Sequence, residues 1–100
     1  MDQEVLAVAL ILPYPGLEEE TLVVLRELYA MLGRKGYSRD LLYRDDTHHS
    51  RLVHLRYWRS EQARRDAMED PDAHRFWVRL PSLCEVNVVS DTLVDVTKSV

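Results

Sequence analysis

Cysteine is nearly absent from this sequence: Cys84 is the only one in 100 residues. A single thiol cannot form an internal disulfide, which agrees with a reducing compartment. Long apolar runs are absent too. The longest, residues 5–12, is too short to cross a bilayer, and the acids before it do not fit a signal peptide. We therefore expect a cytoplasmic protein that does not associate with membranes.

A strong charge of one sign is also missing. The 13 basic and 17 acidic side chains give a formal net charge of −4, so we expect no nucleic-acid partner. Seven arginines fall between residues 51 and 79, but acids are interleaved with them, which indicates a solvated mixed-charge surface. With 46% apolar residues, the chain is typical of one soluble globular domain covering residues 1–100.

Recognisable metal and phosphate motifs are lacking. The three glycines lie at turns or helix exits and form no phosphate-binding loop. His48 and His49, with Asp45 and Asp46, resemble metal ligands, but adjacent histidines do not converge easily on one ion and no second His or Cys spacing supports them. Without an oriented base, Cys84 is better interpreted as a small buried residue than as a nucleophile. We expect neither a metal nor another cofactor.

Strand and helix patterns alternate along the first half of the chain. Residues 5–12 are apolar at every position, which predicts a central strand covered on both faces. After the turn at 13–16, three glutamates open a helix whose leucines recur every three or four residues. Residues 37–44 predict a half-exposed strand, which forms a hairpin with the strand at 51–59.

The second half contains a helix in two parts and one more strand. Ser60 is the predicted N-cap of the first part, and Pro71 interrupts the pattern and restarts it. Residues 72–80 place four apolar side chains on one face, which should be buried. Residues 84–89 predict a fourth strand, which residues 91–100 either extend or follow as a tail.

This order predicts an α+β, ferredoxin-like βαββαβ fold, with a four-stranded antiparallel sheet and both helices on one face. The other face is also apolar, since Val53, Leu55 and Tyr57 alternate along the third strand. Exposed apolar surface of this extent marks an interaction site. We therefore expect a homodimer in which the two sheets pack against each other.

The chain resembles the antibiotic biosynthesis monooxygenase-like family of dimeric α/β barrels over residues 5–89. The resemblance lies in the opening strand and helix, in a G-Y-x-x-x-x-L-Y strand at 36–43, and in the strand-helix junction YWRSEQARRDAMEDPDAHRFW. The residues matched at this junction are Tyr57, Trp58, Ala63, Pro71, His74 and Phe76.

The chain departs from the family at two positions. Members often have a glutamate where this chain has Arg56, and a helical histidine where it has Ala67. In the haem-degrading branch, a helical Trp and His would fall on Ala67 and Trp77. The resemblance therefore disfavours haem degradation.

The family includes cofactor-independent oxygenases that act on polycyclic phenols or quinones. The resemblance thus implies a cofactor-independent monooxygenase acting on a small aromatic substrate, in a pocket between sheet and helices. His54 and Arg56 share one strand face and are the catalytic candidates: His54 would take a phenol proton and Arg56 would hold the anion. The predicted substrate-binding residues are Trp58, Trp77, Phe76 and Tyr43.

Two alternatives remain open at this point. In one, the protein is a non-catalytic small-molecule-binding or dimerisation module. In the other, side chains of the protein fill the pocket: His54 is a satisfied core histidine, Arg56 pairs with an acid, and both tryptophans only pack. A fluorescence response to apolar ligands without product favours the first alternative, and no response favours the second.

Overall fold

The computed structural model describes residues 3–48 and 50–97. Its main elements are β1 (Val5–Pro13), α1 (Glu18–Arg34), β2 (Ser38–Arg44), β3 (Leu52–Trp58), α2 (Glu61–Met68), α3 (Pro71–Arg79) and β4 (Cys84–Leu93). A short 3-10 turn, Leu80–Ser82, joins α3 to β4. This is the predicted βαββαβ order. Within the described ranges, no helix is both long enough and apolar enough to span a membrane.

The four strands form one antiparallel sheet in the order β2-β3-β1-β4. The apolar strand β1 is therefore internal, as its sequence predicts. Alternate residues of β3 are buried, from Leu52 to Trp58, and the intervening ones are half-buried. This alternation distinguishes the face that the helices cover from an open face.

Helix α1 supplies most of the core above the sheet. Its first turn carries three glutamates at the positive end of the helix dipole. Its buried residues are Thr21, Leu22, Val24, Leu25, Leu28, Met31 and Leu32. Gly33 lies inside the helix, and Gly36 has a φ of 75°, the left-handed conformation that turns the chain into β2.

The break between α2 and α3 is confirmed, and both helices begin with a side-chain cap. The Ser60 hydroxyl accepts a hydrogen bond from the backbone N–H of Ala63 at 3.0 Å. Asp70 caps α3 by accepting from the N–H of Asp72 at 2.9 Å, and Pro71 occupies the first helical position. The new direction after the break buries Ala73 against the core.

The open face of the sheet is apolar along its two inner strands. Val8 lies opposite Leu55, and Leu10 lies opposite Val53. All four side chains are only half-buried. The apolar surface expected from the sequence is therefore present on this face.

Strand β4 continues past its predicted end to Leu93, so the first residues of 91–100 extend the strand. Residues 98–100 lie outside the described part of the chain. Most of β4 is exposed on both faces, including Val88 and Val89 at 63% and 62% exposure. The register of β4 on β1 shifts near Val8, and Val89 lies at this irregularity.

Replacing Ser60 by Ala tests the cap of α2. We expect the free energy of unfolding to fall by about 1 kcal/mol, because the N–H of Ala63 loses its acceptor. Urea unfolding measures the change. Ser50→Ala, in the exposed loop before β3, is the control and should change stability by less than about 0.5 kcal/mol. Equal losses in the two variants would contradict the capping role.

Candidate functional site

Two clefts lie on the helix-covered face of the sheet. The first, the Trp77 cleft, has a volume of about 260 Å³ and is bounded by Tyr29 and Trp77 from the helices and by Val86 from β4. The second, the Trp58 cleft, has a volume of about 250 Å³ and lies beside Trp58 and Met68. A larger cavity of about 420 Å³ lies at Arg39 and Tyr57, away from the catalytic candidates.

His54 and Arg56 line both clefts. They are alternate residues of β3, so both point to the covered face, as the sequence predicts. Each is at least nine-tenths buried. A buried histidine and a buried arginine therefore lie where the two clefts meet.

A third residue, Asp40 of β2, holds this pair in place. One carboxylate oxygen of Asp40 accepts from Nε2 of His54 at 2.9 Å and from Nε of Arg56 at 2.5 Å. The other oxygen accepts from the Ser38 hydroxyl at 2.9 Å. The carboxylate side chain is completely buried, and the strand register places Asp40 directly opposite Arg56.

The charges of this group follow from burial and hydrogen bonding. Burial opposes ionisation of Asp40, but hydrogen bonds from His54 and Arg56 and the charge of Arg56 outweigh it and lower the pKa of Asp40. Burial lowers the pKa of His54 by more than its bond to Asp40 raises it. At neutral pH, Asp40 and Arg56 are therefore charged and His54 is neutral.

These charges determine which nitrogen of His54 is basic. A carboxylate only accepts hydrogen bonds, so Nε2 of His54 must carry the proton that it shares with Asp40. The lone pair then resides on Nδ1, which has no hydrogen-bond partner among residues 3–48 and 50–97. The arrangement can accept a proton from a bound molecule.

Aromatic rings surround the two basic side chains. The ring of Tyr29 stacks on His54, with centroids 4.8 Å apart and planes within 7°. The guanidinium carbon of Arg56 lies 5.1 Å from the Trp58 ring and 5.8 Å from the Tyr29 ring. Only Nε of Arg56 makes a hydrogen bond within the described residues, so its terminal N–H groups remain available to an anion.

The hydroxyl of Tyr29 is buried and has no hydrogen-bond partner in the described part of the chain. Burial raises the pKa of this hydroxyl, with a smaller opposing effect of Arg56. Tyr29 is therefore a neutral side chain that packs on His54.

The structure brings four of the six predicted site residues together. His54, Arg56 and Trp58 line the Trp58 cleft. His54 and Arg56 also line the Trp77 cleft, together with Trp77. Phe76 instead lies in a groove between α1 and α3. Consecutive residues of a helix point in different directions, so Phe76 does not face the cleft that its neighbour Trp77 lines. Tyr43 is 55% exposed and lies opposite Val53, on the open face.

Two other candidates from the sequence, Cys84 and Asp45, line neither cleft. Cys84 is buried, its thiol donates to the Leu80 carbonyl at 3.6 Å, and burial raises its pKa, so it is not a reactive thiolate. Asp45 accepts hydrogen bonds from Thr47 and Arg51. His49 lies outside the described residues. Within 3–48 and 50–97, no group of three or more His, Cys, Asp or Glu side chains is placed to hold a metal.

Asp40 and Tyr29 are the residues that sequence reasoning missed. Asp40 carried one signal, because it is an acid inside a predicted strand that pairs with the strand of His54 and Arg56. Its partner became identifiable only with the register of the hairpin. Tyr29 carried no such signal, because in the sequence it is one more large side chain on the face of α1 that packs on the sheet.

The fold is shared with several solved structures. SnoaB, a cofactor-independent oxygenase from Streptomyces nogalater, is 21% identical with a TM-score of 0.78, over 93% of this chain and 95% of that one. PA3566 from Pseudomonas aeruginosa is 22% identical with a TM-score of 0.79, over 95% and 96% of the two chains. An antibiotic biosynthesis monooxygenase is 16% identical with a TM-score of 0.74, over 91% and 99%.

At these identities the similarity establishes the fold. No protein-family model matches the sequence, and no curated protein matches it. The ferredoxin-like α+β architecture and the resemblance to antibiotic biosynthesis monooxygenase-like proteins are therefore confirmed at the level of the fold.

Replacing Asp40 by Asn tests the central ion pair. We expect the free energy of unfolding to fall by about 3–5 kcal/mol, because Arg56 would remain buried without its counter-charge. Chemical denaturation measures the loss. Asp66→Asn on the exposed surface of α2 is the control and should change stability by less than about 0.5 kcal/mol. A loss in Asp40→Asn as small as in the control would show that the pair does not stabilise the fold.

Proposed function

We propose that this protein is a cofactor-independent monooxygenase that acts on a small phenol- or quinone-type aromatic compound. One observation carries the proposal: a neutral, carboxylate-oriented histidine and a buried arginine with unused donors meet in an apolar cleft. The shared fold supports it, since SnoaB is a cofactor-independent oxygenase. The Trp77 cleft, of about 260 Å³, lies just below the range of roughly 300–1,000 Å³ for drug-sized ligands, which favours a single aromatic ring in this cleft.

In the proposed reaction, Nδ1 of His54 accepts the proton of the phenol hydroxyl. The resulting phenolate oxygen faces the terminal N–H groups of Arg56, which stabilise its negative charge. Trp77 contributes an aromatic face against which the ring can pack. The substrate is thereby held as its anion, the form that gives up electrons most readily.

Dioxygen then reacts with the anion at the ring carbon para to the oxygen. A carbon–oxygen bond forms, the outer oxygen takes the proton held by His54, and a hydroperoxide results. Cleavage of the oxygen–oxygen bond, with loss of the proton on that carbon, leaves a carbonyl and releases water. One phenol and one dioxygen give one quinone and one water, and the substrate supplies all four electrons.

A non-catalytic binding module is the second candidate function. The pairing of Asp40 with both His54 and Arg56 favours it, because a satisfied buried network also occurs for purely structural reasons. In that case aromatic ligands would change tryptophan fluorescence through Trp58 and Trp77, and no product would form. The open volume of both clefts argues against the alternative in which side chains fill the site.

Oxygen uptake with a panel of phenols and hydroquinones tests the reaction. We expect His54→Gln to reduce the rate at least about 100-fold, because Gln retains a donor to Asp40 but provides no base. His74→Gln, at an exposed position of α3, is the matched control and should leave the rate unchanged. No oxygen uptake with any of these substrates, or equal rates in both variants, would contradict the proposal.

The rate should also depend on pH in a defined direction. The reaction requires neutral His54, and burial lowers the pKa of His54 below the ordinary value of 6.5. We therefore expect full activity at neutral pH and a decline only below pH 6.5. The profile is also measured in His74→Gln, so that titration of this exposed histidine does not contribute to it. A loss of activity in this variant that begins above pH 6.5 would contradict the assignment of His54 as the base.

We also infer that the protein is a homodimer that buries the open face of the sheet. The half-buried residues Val8, Leu10, Val53 and Leu55 supply an apolar centre for that interface. Sedimentation equilibrium should give twice the chain mass of 11.7 kDa. Leu10→Lys should yield monomers, whereas Val23→Lys on the exposed surface of α1 should not. A monomeric wild-type protein at micromolar concentration would refute the dimer.

A further inference from the structure

We propose that the Trp58 cleft is the second half of the substrate site and binds an apolar substituent, an alkyl chain, on the phenol whose ring lies in the Trp77 cleft. This inference rests on the proposed phenol substrate and narrows its class. The substrate would be a phenol with a hydrocarbon chain rather than an unsubstituted ring.

The two clefts adjoin at the catalytic candidates. Both are lined by His54, Arg56 and Val86. A phenol oxygen at Arg56 would therefore lie at the junction, with its ring on the Trp77 side. A substituent on the carbon next to the oxygen (ortho) therefore has the Trp58 cleft, of about 250 Å³, beside it.

The space in the Trp58 cleft comes from two alanines of β1. Ala9 lies between His54 of β3 and Val88 of β4, and Ala7 lies opposite Arg56. Both alanines line the cleft, and each projects only a methyl group from the floor. A larger side chain at Ala9 would fill the region between the two neighbouring strands. The small side chains of Ala7 and Ala9 therefore set the depth of the Trp58 cleft that is available to a ligand.

The walls of this cleft suit a hydrocarbon. Trp58, Met68 and Val88 line it with apolar surface, and the charged residues Arg64 and Asp91 also belong to its lining. Arg64 is engaged with Glu61 at 3.6 Å and with the Thr92 hydroxyl at 3.5 Å. Met68 and Val88 are 53% and 63% exposed. A bound chain would remove part of this apolar surface from water, which is the source of its affinity.

Binding of ortho-alkylphenols from methyl to hexyl, which keep a hydrogen on the para carbon, tests the inference and is measured without oxygen by tryptophan fluorescence and calorimetry. We expect the dissociation constant to fall up to about fourfold per methylene until the cleft is filled. Ala9→Leu should abolish this gain and leave the affinity for the methyl compound within about twofold, because the added side chain occupies the chain region only.

Two exposed positions provide a pair of variants that do not depend on core packing. Val88→Asn should reduce the gain per methylene, because Val88 lines the cleft. Val89→Asn changes an equally exposed neighbour that does not line it and should leave the gain unchanged. Met68→Gln, also exposed, should act like Val88→Asn.

Three results would overturn the inference: affinity independent of chain length, the same gain per methylene in Ala9→Leu as in the wild type, or equal effects of Val88→Asn and Val89→Asn. Because binding is measured without oxygen, chemistry does not enter the result. Chain-length dependence in a protein that consumes no oxygen would reject the monooxygenase and retain the chain-binding cleft. Oxygen consumption without chain-length dependence would retain the monooxygenase and reject the chain-binding cleft.

Discussion

Asp40 shares one carboxylate oxygen between His54 and Arg56, and the chemistry of the candidate site depends on this sharing. A buried arginine without a counter-charge would strongly destabilise the fold. Because Asp40 neutralises Arg56, the site can keep a cation in an apolar cleft. The same carboxylate fixes the proton of His54 on Nε2, so a single buried acid sets both the charge and the basic nitrogen of the site.

The second constraint is the distribution of side-chain volume along β1. Residues 5–12 are apolar at every position, yet the strand places Val8 and Leu10 on the open face and Ala7 and Ala9 under the helices. Large side chains on one face provide the surface for the inferred dimer. On the other face, Ala7 and Ala9 lie between the larger Val5 and Ile11 and leave room for a ligand beside the catalytic candidates. One strand thus serves both the proposed assembly and the proposed site.

The elements of the fold followed from local sequence signals. The cap at Ser60, the restart at Pro71 and the internal position of β1 each rest on chemistry within a few residues. The site was less accessible because it depends on pairing between distant strands: Asp40 meets Arg56 only through the hairpin register. The sequence prediction also placed Phe76 and Tyr43 in the site, whereas Phe76 lies in the groove between α1 and α3 and Tyr43 lies on the open face.

The most direct test of this account is the protonation state of His54, measured from its side-chain nitrogen chemical shifts by NMR at neutral pH. The account predicts a neutral ring with its proton on Nε2, and a shift of the Nδ1 resonance when para-nitrophenol binds. An imidazolium at neutral pH, a proton on Nδ1 in the free protein, or an Nδ1 resonance unchanged at saturating phenol would contradict it.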